Sequence, residues 1–76
     1  MKYLCDTSRH LICLPYSMTN LHKMAYDLGI KRCWFHAGDK PHYDIPKRRI
    51  AEITEKCEIV SSQEIVNIIK NFKAKN

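Results

Sequence analysis

The hydrophobic period of the sequence changes in residues 17–30, which read SMTNLHKMAYDLGI. Ser17 or Thr19 can cap the start of a helix here, and Gly29 can end it in a left-handed turn. Between these residues the apolar side chains recur at helical spacing. We therefore predict a helix whose inner stripe consists of Leu21, Met24, Ala25 and Leu28.

Short apolar segments on both sides of this helix are typical of strands. They are residues 2–6, 32–36 and 57–60. The segment His10–Leu14 is stopped by Pro15, and it is either an edge strand or a packed loop.

Two further helices are predicted by their start signals. Asp44 is a good N-cap for the first, and Pro46 is tolerated in its first turn. Ser61 and Glu64 have the spacing of a capping box at the start of the second.

The order of these elements predicts a single α/β domain over residues 1–76, in two or three layers. We expect a short, mainly parallel sheet of three strands, or four if residues 10–14 form one, with three helices. In such a sheet the carboxyl ends of the strands share one rim with the N-termini of the following helices. That rim suits an anionic ligand.

Composition and charge narrow the class of protein. The 76 residues are 45% hydrophobic, which indicates a folded domain, and no apolar run approaches the roughly 20 residues that span a bilayer. We expect a cytoplasmic protein without a membrane partner, in the host cytoplasm if it is viral. Thirteen Lys and Arg residues against eight Asp and Glu residues give a formal net charge of +5 at pH 7. The cations Lys70, Lys73 and Lys75 read as a solvated tail, and the rest of the excess favours an anionic partner.

The cysteines do not resemble a metal site. Cys5, Cys13, Cys33 and Cys57 lie in apolar segments and form no C-x-x-C pair. This pattern favours free, buried thiols in a reducing compartment. Structural zinc modules cluster their ligands at short spacings that are lacking here, so we expect neither a metal nor another cofactor.

The residues best suited to a ligand surround the segment 42–49, which reads HYDIPKRR. Rings, imidazoles, a carboxylate and cations can together stack a base, hydrogen-bond a sugar and neutralise a phosphate. The predicted ligand-binding residues are Asp6, Arg9, His22, Trp34, His36, His42, Tyr43, Asp44, Arg48 and Arg49.

Four of these residues have structural explanations of similar weight. Asp44 can simply cap a helix, and Asp6 can form a turn. Trp34 can fill the core beside Phe35, and His22 can be a satisfied structural histidine.

The other candidates point more directly to a ligand. His42 and Tyr43 precede the predicted cap in a loop and fit no apolar period. Arg48 can pair with Glu52, whereas Arg49 has no obvious helical partner, which makes Arg49 the preferred cation for a phosphate.

The run LHKMAYDLGI at residues 21–30, Trp34, the run HYDI at residues 42–45 and Arg49 resemble a family of small bacterial and phage proteins catalogued as a domain of unknown function. Its members begin with a short strand that ends in Asp, similar to Asp6 here. The resemblance covers nearly the whole chain and implies the same order of elements. Relatives in phages imply a viral accessory protein that acts on host defence. The positions it marks are His22, Trp34, His42, Tyr43, Asp44 and Arg49.

Three functions are compatible with these residues. The preferred hypothesis is a small binding protein for a nucleotide or other phosphorylated ligand, as in a phage protein that sequesters a host immune signalling nucleotide. The alternatives are a metal-independent phosphodiesterase that uses His22 and His42 as acid and base, and a nucleic-acid-binding accessory protein. A homo-oligomer is also expected, because so small a sheet leaves edges to cover.

Overall fold

A tight hairpin forms the centre of the sheet. In the computed structural model, which describes residues 1–75, strand β1 (Lys2–Cys5) pairs antiparallel with strand β2 (His10–Leu14). The backbone N–H of Arg9 donates to the Asp6 carbonyl at 3.3 Å and closes the turn. A turn this short can join only antiparallel strands. The segment His10–Leu14 is therefore a strand, and it is central because a second strand pairs with its other edge.

The remaining strands make the sheet mixed. They are β3 (Phe35–His36), β4 (His42–Asp44) and β5 (Glu58–Ile59), in the spatial order β3-β4-β2-β1-β5. Only β1 and β5 are parallel. The predictions of a mainly parallel sheet and of three or four strands are wrong, because residues 6–9 and residues 37–41 are hairpin loops rather than crossovers.

The first helix begins and ends as its caps predict. Helix α1 (Met18–Leu28) begins after Ser17, whose Oγ accepts a hydrogen bond from the Asn20 N–H at 3.1 Å. Gly29 has a φ of 71°, and the Ile30 N–H donates to the Ala25 carbonyl at 2.8 Å. This bond closes the last helical turn, so α1 is locally determined at both ends.

The second predicted helix starts later than expected. Asp44 is the last residue of β4, and a 3-10 helix (Lys47–Arg49) leads into the short helix α2 (Ile50–Thr54). The prediction that Asp44 caps this helix is wrong, because Pro46 restricts the preceding residue to extended backbone. The last helix, α3 (Ser62–Lys75), has its predicted cap, since the Ser61 Oγ accepts from the Glu64 N–H at 3.1 Å.

The segment after α1 is mostly helical instead of extended. Residues Arg32–Trp34 form a 3-10 helix, and only Phe35 and His36 reach β4 to pair with it. The predicted strand over residues 32–36 is therefore shortened to two residues at the sheet edge. Cys33 consequently lies at the surface rather than in the core.

Helices cover both faces of the sheet, which gives three layers. On one face, His22 of α1 contacts Tyr43 and Phe35. On the other, Ser62 of α3 bonds to Asp6. The radius of gyration of 11.3 Å agrees with one compact domain of this size. The buried core includes Leu4, Leu11, Ile12, Leu21, Met24, Ile45, Ile53 and Ile69.

No helix within residues 1–75 combines the length and the apolar character needed to cross a bilayer. The two edge strands, β3 and β5, have only two residues each. The homo-oligomer stays a prediction.

Thiol reactivity tests this arrangement. Cys5 and Cys13 are buried, while Cys33 is exposed, contrary to the expectation of four core thiols. Burial raises the pKa of Cys13 to about 11 and that of Cys57 to about 12. In the native protein we expect rapid labelling at Cys33, with Cys5 and Cys13 reacting only after denaturation. Cys33→Ser should remove the rapid phase, and rapid native labelling of Cys13 would contradict the fold.

Candidate functional site

Three adjacent strands place ionisable side chains on one face of the sheet. His10 lies opposite Asp44 in the β2–β4 pair, and His36 lies opposite His42 in the β3–β4 pair. Directly opposed residues share a face, as do His42 and Asp44 two positions apart. We call His10, His36, His42 and Asp44 the histidine cluster.

Asp44 is the anion within this cluster. Its Oδ2 lies 2.8 Å from the His36 Nε2, and its Oδ1 lies 3.3 Å from the His42 Nε2. The His42 ring stacks on that of His36 at 5.1 Å and meets the edge of His10 at 5.0 Å. Asp44 thus organises imidazoles instead of capping a helix.

Asp6, the first residue of the β1–β2 turn, supports the cluster by holding His10. It is buried, and its carboxylate accepts hydrogen bonds from the Ser8 N–H, the His10 N–H and the Ser62 hydroxyl, at 2.9, 3.0 and 2.6 Å. The His10 Nδ1 lies 2.8 Å away as well. Burial raises the pKa of Asp6, but the hydrogen bonds from Ser62 and His10 outweigh it and hold the pKa below its usual value. Asp6 thus has structural partners within the fold, and its role as a ligand contact stays a prediction.

His10 was missing from the predicted ligand-binding residues. A signal for it exists in the sequence, since His10 follows the turn-forming run Asp6-Thr7-Ser8 and stands four residues after Asp6. A hairpin at that turn brings the imidazole back onto the carboxylate.

A cationic groove lies beside Trp34. A cavity of about 520 Å³ is lined by Arg9, Trp34, Pro46, Lys47 and Arg48, which we call the tryptophan groove. Trp34 is half-buried, while Lys47 and Arg48 are exposed. Within residues 1–75 neither of these two cationic side chains has a hydrogen bond or an ion pair. Their charges are free to meet a ligand.

The tryptophan groove lies just beyond the ends of the strands that carry the histidine cluster. Arg9 directly precedes His10, and Trp34 stands two residues before His36. Pro46 stands two residues after Asp44. The groove thus brings together the predicted residues Arg9, Trp34 and Arg48, and the histidine cluster brings together His36, His42 and Asp44.

Arg49 has partners that the sequence did not suggest. Its guanidinium donates to the carbonyls of Leu28 and Gly29 at 2.6 and 2.7 Å and pairs with Glu52 at 2.7 Å. The premise that selected Arg49 as the phosphate cation is wrong, because α2 begins with a 3-10 turn and places Glu52 within its reach. Glu52 is therefore paired with Arg49, and within residues 1–75 Arg48 has no ion-pair partner.

Tyr43 lies in the interior of the fold, and His22 is a partly buried residue bonded to it. Tyr43 is 1% exposed, and its hydroxyl lies 2.8 Å from the His22 Nδ1. Burial lowers the pKa of His22, and the nearby charge of Arg32 lowers it further. Since Tyr43 and His42 are consecutive strand residues, they face opposite sides of the sheet. The proposed acid–base pair of His22 and His42 is consequently not formed.

The fold and the site define a small α/β domain with a mixed five-stranded sheet, a histidine-rich face and an adjoining cationic groove. The family model described as "Protein of unknown function (DUF4031)" matches residues 7–72, and the chain belongs to this family. Comparisons with curated proteins and with solved structures gave no match.

Removing the charge of Asp6 should make stability less dependent on pH. Asp6→Asn should lower the free energy of unfolding at pH 7 by roughly 2–4 kcal/mol, because a buried, hydrogen-bonded carboxylate is lost. A lowered pKa in the folded state stabilises above the unfolded value of about 3.9, and this contribution is lost as pH falls through the folded value.

Denaturant titrations at pH 7 and pH 3 measure the difference between Asp6→Asn and the wild type. This difference in the free energy of unfolding should be smaller at pH 3 than at pH 7. Asp39→Asn, which changes an exposed loop carboxylate, is the control and should change little at either pH. A difference that stays constant with pH would contradict an ionised Asp6.

Neighbouring arginines should differ in their effect on stability. Arg49→Ala removes two hydrogen bonds to the carboxyl end of α1, so the melting temperature should fall by roughly 4–8 °C. Arg48→Ala removes an unpaired surface cation and should leave it within about 2 °C. Differential scanning calorimetry measures both, and equal shifts would refute the separate roles.

Proposed function

We propose that the protein binds a phosphorylated small molecule with an aromatic ring, such as a nucleotide, in the tryptophan groove. The observation that carries this proposal is one cavity in which Trp34 lies beside the unpaired cations Lys47 and Arg48. Its volume of about 520 Å³ is within the usual range for small-molecule sites, about 300–1,000 Å³.

The apolar part of the groove suits a ring. Trp34 and Pro46 line both this cavity and a second one of about 310 Å³ that also contains Lys31. A half-buried indole offers a flat face on which a nucleobase can stack. With cations close by, the same ligand can carry its phosphate within reach.

The cationic part of the groove suits a phosphate. Lys47 and Arg48 have no carboxylate partner among the described residues, so a phosphate would provide their first ionic contact within the fold. Arg9 adds a third cation and has a φ of 71°, a left-handed conformation that favours glycine. Its guanidinium donates to the Ile45 carbonyl at 3.2 Å, which orients it along the groove wall.

A binding protein of this kind leaves its ligand intact. The phosphodiesterase alternative relied on His22 and His42, and these two histidines lie on opposite faces of the sheet. Recovery of unchanged nucleotide after incubation, measured by chromatography, would support binding. It is also what sequestration of a host signalling nucleotide by a viral protein requires, and that role is part of the proposal. Steady turnover that His42→Ala abolishes would favour an enzyme.

Fluorescence reports on the groove directly, because Trp34 is the only tryptophan. Titration with adenine and guanine nucleotides, linear and cyclic, should quench it saturably. Arg48→Ala and Lys47→Ala should each weaken binding about tenfold to a hundredfold, the scale of one charge-assisted hydrogen bond. Lys70→Ala, an exposed cation on α3, is the matched control and should change affinity less than twofold.

The same titration with a single-stranded oligonucleotide tests the nucleic-acid alternative. Diffuse binding to a polyanion would show a steep dependence on salt and similar losses from Lys70→Ala and Arg48→Ala. That result, together with no response to mononucleotides, would overturn the proposal. Lys73 is unsuitable as a control because, although exposed, it donates to the Asp39 carbonyl.

A further inference from the structure

We propose that the histidine cluster binds one divalent first-row transition-metal ion, such as Zn²⁺, through His10, His42 and Asp44. One candidate ligand atom from each of these residues lies within 4.8 Å of the others. This inference goes beyond the proposed function, since it concerns different residues and a different ligand.

The hydrogen bond at Nδ1 of His42 leaves its Nε2 free to bind a metal ion. Its Nδ1 lies 2.6 Å from the Lys40 carbonyl oxygen, which can only accept, so Nδ1 carries the proton. In a neutral imidazole the Nε2 then presents a lone pair. That lone pair faces the Asp44 Oδ1 at 3.3 Å, and either a metal ion or a second proton on the imidazole would relieve the repulsion between these two electron-rich atoms.

His10 likewise uses its Nδ1 for a hydrogen bond and keeps its Nε2 free. Its Nδ1 lies 2.8 Å from the carboxylate of Asp6, which already accepts hydrogen bonds from two backbone N–H groups and the Ser62 hydroxyl and is therefore the acceptor here as well. The His10 Nε2 has no hydrogen bond among residues 1–75. A carboxylate or a carbonyl behind each imidazole is the usual outer support of metal-binding histidines, because it fixes the tautomer and the ring orientation.

The distance between His42 and Asp44 and the charge of the site agree with a metal ion. Two ligands that lie about 2.1 Å from a tetrahedral zinc are about 3.4 Å apart, close to the observed 3.3 Å between His42 and Asp44. The two carboxyl groups of the site, Asp6 and Asp44, would together balance a divalent charge. Two imidazoles and one carboxylate leave coordination positions open, as in metal sites that also bind water or substrate.

His36 has a supporting place. Its Nε2 lies 2.8 Å from the Asp44 Oδ2, the oxygen that does not face His42. A bond there orients the carboxylate and leaves Oδ1 for the metal. A cavity of about 100 Å³ lined by His10 and His42 provides space next to the two imidazoles.

Sequence spacing did not reveal this site. The expectation of no metal rested on the short ligand spacings of closed zinc modules, whereas His10 and His42 come from different strands. Only the β2–β4 register brings them together.

Equilibrium dialysis of the tag-free, chelator-treated protein against Zn²⁺, with metal analysis, tests the proposal. We expect one ion per chain, with affinity reduced at least tenfold in His42→Gln and Asp44→Asn. His22→Gln changes a histidine on the opposite face and should leave affinity unchanged, as should Cys33→Ser, which removes the exposed thiol.

A second measurement needs no variant. During Zn²⁺ titration of the wild type, long-range ¹H–¹⁵N spectra should show the imidazole nitrogens of His10 and His42 shifting while those of His22 do not. Absence of stoichiometric binding, loss of binding in Cys33→Ser, or unchanged signals of His10 and His42 would each overturn the proposal.

Discussion

The buried carboxylate of Asp6 is the interaction on which the site depends. It accepts hydrogen bonds from the β1–β2 turn, from His10 and from Ser62 at the start of α3. A buried charge costs several kcal/mol unless it is paired and hydrogen-bonded, so these partners must stay in place together. One anion therefore fixes the turn, the position of α3 over the sheet and the ring of His10.

The need of a buried charge for partners also distinguishes the cations that hold the fold together from those that a ligand can reach. Arg49 is held by two carbonyls at the end of α1 and by Glu52, whereas Lys47 and Arg48 beside it are exposed and have no partner among the described residues. Within residues 1–75 no buried side-chain nitrogen or oxygen lacks a hydrogen bond. The cations without partners are thus at the surface, where solvent or a ligand completes their interactions.

Local signals in the sequence were sufficient for the helices with side-chain caps. Ser17 and Gly29 cap the two ends of α1, and Ser61 caps α3. These ends could be predicted because capping depends on residues within one turn. The sheet could not be predicted in this way, since strand pairing joins residues distant in the chain. The antiparallel pairing of β2 with β4 makes Asp44 a partner of histidines rather than a cap, and it brings His10 into the site. Arg48 and Arg49 exchanged their expected roles because a 3-10 turn alters which side chains face each other.

The protonation of His10 tests the central role of Asp6 most directly. If the Asp6 carboxylate accepts from the His10 ring, the neutral imidazole must carry its proton on Nδ1. Long-range ¹H–¹⁵N NMR of the metal-free protein distinguishes the two tautomers. We predict the Nδ1–H form for His10, reverting to a mixture in Asp6→Asn. A His10 ring protonated on Nε2 in the wild type would show that Asp6 does not organise this face of the sheet.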